Sequence, residues 1–504
     1  MEYQVNHSQC RSHASWWSRW GILLTAGSVL YVTSAVAQQD ELPPPAPEEV
    51  NAEVGADVEV LTRGPLHESF ATAFTKDAVE FPVIKQQPPE PIKETPPDYK
   101  PVGRNVMWIP GYWYYDDDQN DFLWISGYWR NVPPGRQWVP GYWAEVDGGY
   151  QWRPGMWARA GAEVGYLPPP PESREAGPSS PQPSPEHFYV PGYWVYEDGD
   201  YQWRPGFWAR HQRGWVWVPA RYNRVGNRVV FVDGYWDYRL AGRGQLFAPV
   251  RFRSSGNAGT RIAFTPRAIW STGAPLLLHL FVNPRTGLYV YGDYYGDANG
   301  NRFRPWFRYA EQHRDPLLGY YQWTSNGQFV DNVQRWFDFF TRHPDYRPRA
   351  TLAEQLDFIR SNRAVDYVDQ MVTGNLLSRV VRSGTGQRFE QLANDVRDQI
   401  VGAVETTRQV LDQRLSVESN TAADGRVDSV LRLPQIPFLS EGTTVRGSGR
   451  VEGKARGRVT SPDLPEVRVP TEGLPVPTID PDIEVPSGGL EIPQLPVEVP
   501  GLPF

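Results

Sequence analysis

One pattern recurs eight times between residues 106 and 236: an aromatic residue, any residue, Pro, Gly, Tyr and Trp. The copies are Trp108-Ile-Pro-Gly-Tyr-Trp113, Trp124-Ile-Ser-Gly-Tyr-Trp129, Trp138-Val-Pro-Gly-Tyr-Trp143, Trp152-Arg-Pro-Gly-Met-Trp157, Tyr189-Val-Pro-Gly-Tyr-Trp194, Trp203-Arg-Pro-Gly-Phe-Trp208, Trp217-Val-Pro-Ala-Arg-Tyr222 and Phe231-Val-Asp-Gly-Tyr-Trp236. Their starts are 16, 14 and 14 residues apart, then 37, then 14, 14 and 14. A fixed period means one small unit stacked many times, so no single large core is needed.

The spacing predicts a β architecture. Within a copy the two aromatics are five residues apart, and their midpoint falls on Pro-Gly or its replacement, a turn dipeptide. The turn glycines are Gly111, Gly127, Gly141, Gly155, Gly192, Gly206 and Gly234. Between copies, nine-residue gaps centre on Asp147-Gly148, Asp198-Gly199 and Gly226-Asn227, which are strong hairpin turns because they tolerate positive φ. Two further gaps centre on Pro133-Pro134 and Gln212-Arg213, and are weaker. With a turn at every midpoint, each aromatic faces the next in a β-meander, for example Trp143–Trp152–Trp157. Paired residues share a sheet face, so sixteen aromatics would form one ladder. The residue before the second aromatic is Tyr or Phe in six copies, so the opposite face is also partly apolar. A sheet apolar on both faces belongs between two layers, with the two four-copy blocks packing on each other or each curling up. Large aromatics bury about 150–250 Å² each, enough to stabilise very short strands.

The unit resembles the bacterial WxxGxW (YxWxxGxW) repeat family of exported proteins. The resemblance covers residues 106–236 and implies an envelope location without implying a chemistry. Two copies depart from the pattern. Residues 217–222 lack the Gly and the second Trp, and residues 231–236 lack the first Trp. Terminal capping copies would explain both. The repeats are also similar in style to choline- and glucan-binding hairpin repeats.

The amino terminus supports the same location. Arg11 and Arg19 precede an apolar run from Gly21, which ends in Ala35-Val36-Ala37. That is a signal-peptide pattern, with cleavage expected after Ala37, and the run is short for a bilayer span. Cys10, the only cysteine, lies inside this segment, so the mature chain carries no disulfide or thiolate site. No membrane span is expected after cleavage. A net charge of -8 argues against nucleic acid as a partner.

With 49 Pro and 46 Gly, the chain predicts linkers between its folded parts. The expected organisation is a signal peptide at 1–37, a disordered Pro-rich spacer at 38–105 and a first repeat block at 106–159. A Pro-rich linker at 160–187 leads to a second block with a β extension at 188–300. A mostly helical region at 301–417 and a disordered Pro-rich tail at 418–504 complete it. In the extension, Pro275–Val282 and Leu288–Tyr295 flank the turn Asn283-Pro-Arg-Thr-Gly287. Apolar residues at helical spacing predict helices from about 331, near 352–368 and near 392–416. Helices within 351–416 would form a hairpin that packs on the β region or associates with a second copy.

No HExxH, GxSxG, Walker A or GxGxxG motif occurs, and no cofactor is implied. Asp297-Ala-Asn-Gly-Asn301 has alternating oxygen ligands but lacks the closing acidic residue of a calcium loop, and a Gly/Asn turn explains it equally. Two functions fit. One is a non-enzymatic envelope scaffold or interaction protein. The other is a module for glycan or cell-wall polysaccharide, in which Trp113, Trp129, Trp143, Trp157, Trp194, Trp208 and Trp236 stack on sugars. Partners would then be polysaccharide or other envelope proteins.

Overall fold

The computed structural model describes residues 44–103, 105–253, 262–296, 302–361, 368–384, 387–424 and 430–434. The signal pattern, the 297–301 loop and nearly all of the tail lie outside them.

The eight copies form four long antiparallel hairpins, not a meander. In the first hairpin, residues 106–131, Val106–Ile109 pairs with Tyr128–Asn131 and Tyr112–Asp116 pairs with Asp121–Ile125. Trp108 therefore faces Trp129, and Trp113 faces Trp124. Residues 136–159, 187–210 and 215–238 repeat this nested pairing. Trp143 does face Trp152, but Trp152 does not face Trp157, whose partner is Trp138. Pro-Gly is thus a break in each arm, not a turn. Pro lacks the ladder N–H, and the two breaks of a hairpin lie opposite each other.

The strong turn signals are the hairpin tips, where Gly148, Asp198, Gly199 and Gly226 adopt positive φ. The weaker ones, at Pro133-Pro134 and Gln212-Arg213, join one hairpin to the next, and their flanking strands do not pair in a ladder. Turn strength separates the two kinds of junction, whereas spacing alone treats them alike.

Each facing pair of aromatics meets at close range. Trp108/Trp129 rings are 5.0 Å apart at 73° and Trp194/Trp203 rings 5.2 Å apart at 72°. Such edge-to-face pairs contribute about 0.5–1.5 kcal/mol beyond their burial. The second hairpin packs on the first through Tyr112 stacked on Trp152 and through Trp143 Nε1, which donates to Trp113 O. The fourth packs on the third in the same way, through Tyr193 on Phe231 and Tyr222 Oη donating to Trp194 O. The two blocks meet where the second and fourth hairpins share a core of Val139, Met156, Val225, Val230 and Val232. The stacked neighbours therefore run first, second, fourth, third, with the first also touching the fourth. The fourth hairpin, which holds both departing copies, is internal and caps nothing. A buried ion pair, Arg130–Asp237 at 2.6 Å with Arg243 at 3.1 Å, joins the first hairpin to the fourth.

The expected spacers also differ. Residues 44–103 thread through the fold, with Leu66, Phe70 and Ala73 buried in its main core. Residues 90–99, with three prolines, and 172–180, with one, lie against hairpins. The linker also supplies the strand Glu163–Leu167, which pairs with both the fourth hairpin and Val430–Arg432. The expected tail thus begins inside the fold.

Downstream, Pro275 starts a short helix, Ala274–Leu278, before the strand Leu280–Val282. That strand pairs with Tyr289–Tyr291 across the expected Asn283 turn. Helices Trp306–His313 and Pro316–Thr324 precede the expected helix Phe329–Arg342. The long helix Asn394–Asp424 packs chiefly on strands of the first and second hairpins and on Val430–Arg432. No helix of the described residues is long and apolar enough to cross a membrane.

Candidate functional site

A break in both arms of a hairpin leaves backbone N–H and C=O groups without ladder partners, and buried ones must be satisfied elsewhere. In three of the four hairpins a glutamate from outside the repeat takes the N–H groups. Glu94 accepts from Gly111 N (2.8 Å), Gly127 N (2.9 Å) and Trp124 Nε1 (2.9 Å). Glu68 accepts from Gly155 N (2.9 Å) and Trp152 Nε1 (3.2 Å). Glu175 accepts from Gly192 N and from Tyr189 Oη (3.1 Å).

Glycine is required here because of close approach. A Cβ on Gly141 would lie 2.5 Å from Trp152 Cζ2 and 2.7 Å from Glu68 Oε1. The fourth hairpin has Ala220 at this place and Phe231 in place of the indole donor. Its two departures are coupled: a methyl closes the seat, and the ring has no N–H to offer a carboxylate.

Carbonyls of the breaks are satisfied from other directions. His67 Nε2 lies 3.0 Å from Pro110 O, and its Nδ1 accepts from Ser69 N at 3.2 Å, so the ring is neutral with its proton on Nε2. Burial pushes His67 down to about 3. Arg414, on the long helix, donates through Nη1 to Pro140 O (2.7 Å) and Pro154 O (3.1 Å), the two arms of the second hairpin's break. Its Nε pairs with Glu418 at 2.7 Å, and Glu418 accepts from Tyr142 and Tyr166. Burial pushes the carboxyl of Glu68 up to about 7, outweighing the N–H donors and Arg414 that favour its charge. Glu94 is likewise raised to about 7 by burial.

The seven tryptophans singled out as sugar-stacking candidates are not brought together on an open surface. Six of them donate Nε1 to a backbone carbonyl of the chain itself: Trp113 to Glu90, Trp129 to Tyr99, Trp143 to Trp113, Trp157 to Ser69, Trp194 to Glu172 and Trp208 to Ser180. The seventh, Trp236, packs on Phe188. Trp113, Trp129, Trp157 and Trp194 are buried, and Trp143, Trp208 and Trp236 are half-buried. Of the turn glycines, Gly111, Gly127, Gly155 and Gly192 present an N–H to a carboxylate.

Glu68, Glu94, Glu175 and Arg414 are the residues that sequence reasoning missed. A glutamate set among prolines, as in Glu94-Thr-Pro, was the available signal, but no spacing ties it to a distant hairpin. The enclosed cavity beside Glu68, lined by Ser69, Trp157, Trp217 and Arg221, holds about 30 Å³, room for water and not for an organic substrate. No group of His, Cys, Asp or Glu suited to a metal ion occurs among the described residues.

The model of the WXXGXW repeat, written for two copies, matches residues 103–130, 138–158, 187–209 and 212–237. Each match falls on one hairpin, so the two-copy unit of the family is the structural unit. No curated protein and no solved structure matches the chain. The four broken hairpins of this chain are WXXGXW repeats, lying across residues 103–237.

Proposed function

We propose that this chain is a non-enzymatic exported scaffold of the cell envelope, a rigid repeat body through which other envelope proteins are held. The signal pattern ending at Ala37 and the family resemblance support export. The observation that carries the scaffold reading is that the aromatic rows are used internally. Of the sixteen ladder rings, ten are buried and six half-buried, and none is exposed. Stacking on a sugar needs an open ring face, whereas six of the seven candidate tryptophans donate to the chain's own backbone.

The test is a pull-down of the full mature chain with peptidoglycan and envelope polysaccharides, together with quenching of tryptophan fluorescence by acrylamide. The expected result is no retention and unchanged quenching. Retention accompanied by glycan protection of tryptophan would replace this reading with the glycan-binding one.

A further inference from the structure

The two outer hairpins hold residues 90–99 and 172–180 in a similar way. In the first, Trp113 Nε1 donates to Glu90 O, Gly111 N to Glu94 and Trp129 Nε1 to Tyr99 O. In the third, Trp194 Nε1 donates to Glu172 O, Gly192 N to Glu175 and Trp208 Nε1 to Ser180 O. The final contact comes five residues after the seated glutamate in both, 94 to 99 and 175 to 180. Besides that carboxylate both hairpins read backbone carbonyls, and the third also takes Arg174 over the Trp194 ring at 4.9 Å and Ser180 Oγ on Trp208 Nε1 at 3.2 Å. An outer WXXGXW hairpin is therefore a receptor for a segment that seats one glutamate and turns backbone carbonyls toward two indoles.

The two occupants are not equally secured. Residues 90–99 are clamped on their outer side, where Lys93–Glu94 pairs with Ala263–Phe264 and Tyr99–Pro101 pairs with Phe389–Gln391. Glu94 also serves both break glycines and an indole. Among the described residues, 172–180 pairs with no strand on its outer side, and Glu175 serves one break glycine, one tyrosine hydroxyl and Gly177 N of its own segment.

The chain carries further segments of this chemistry. Glu94-Thr-Pro96 is a Glu-x-Pro step, and Glu484-Val-Pro486, Glu491-Ile-Pro493 and Glu498-Val-Pro500 repeat that step every seven residues. The tail leaves the fold beside the same linker, where Leu433 N donates to Ala162 O at 3.1 Å. Fifty residues separate Pro434 from Glu484. We propose that the aromatic face of the third hairpin is a docking site for the Glu-x-Pro steps of residues 484–500, which displace residues 172–180 from it.

The test titrates a fluorescent peptide of residues 480–504 into the full chain and into the full chain carrying E484Q, E491Q and E498Q, with binding read by anisotropy. The wild-type tail competes for the face, so the triple variant is expected to bind the peptide at least ten-fold more tightly. Adding Trp208→Phe, which removes an indole donor and keeps an aromatic ring, is expected to weaken that binding several-fold. A peptide with the same three Glu→Gln changes is expected not to bind. No binding to the triple variant, equal binding of the Glu and Gln peptides, or indifference to Trp208→Phe overturns the proposal. No glycan enters the measurement, so its outcome is independent of the scaffold reading.

Discussion

At the scale of single residues, the glutamate seats set a pH dependence. Glu68 is buried and its carboxyl is raised to about 7, against about 4.5 in an unfolded chain. Below about 4.5 the group is protonated in both states and costs nothing. As pH rises from there to about 7 the unfolded chain releases its proton while the folded one keeps it, so stability falls, and above 7 it levels off. The shift corresponds to about 3 kcal/mol lost across that window. Urea unfolding from pH 4.5 to 7.5 is expected to show Glu68→Gln gaining about that amount on the wild type as pH rises, whatever the opposing rise that buried neutral histidines such as His67 add to both. An unchanged slope in the variant would mean that the seat is ionised throughout. None of this was legible in the sequence. The tryptophans and glycines announce themselves by repetition, but Glu68 stands 84 residues from the indole it accepts from.

The broken hairpin is the element that repeats, and its breaks give the second prediction. Gly141→Ala is expected to cost about 1–3 kcal/mol, because its Cβ would meet Trp152, Arg153 O and Glu68 at once. Gly165→Ala meets nothing within 4 Å and is expected to be near neutral. Denaturant midpoints of the two variants compare them directly. The spacing puts every aromatic and every glycine of this element in register, yet it reads as a meander. Pro-Gly fits a turn and a strand break equally well by spacing, and only the partner strand decides between them. Tip turns with Asp-Gly or Gly-Asn were stronger signals than the Pro-Pro and Gln-Arg junctions, and that difference did carry the real topology.

For the whole molecule, the long helix Asn394–Asp424 locks the stack through Arg414. Its guanidinium holds both arms of the second hairpin's break and pairs with Glu418. Removing one member of a buried pair leaves the other uncompensated, so Arg414→Ala is expected to cost about 3–5 kcal/mol. Replacing both, Arg414→Met with Glu418→Leu, is expected to cost less than Arg414→Ala alone. Thermal unfolding of the two variants tests the order, and a double variant worse than the single would place the energy in the carbonyl contacts.

The repeat, its family, the pairing of aromatics across each tip and the β character of residues 106–238 were all readable from the chain, because they follow from period and from turn chemistry within a few residues. Three things came only with the folded molecule. The copies act in twos, the hairpins stack in the order first, second, fourth, third, and proline-rich stretches expected as free spacers fill the breaks. The physical reason is unpaired backbone. Once Pro-Gly interrupts both arms, the exposed N–H and C=O groups need partners that local sequence does not supply, and the chain brings Glu68, Glu94, Glu175 and Arg414 to them from afar.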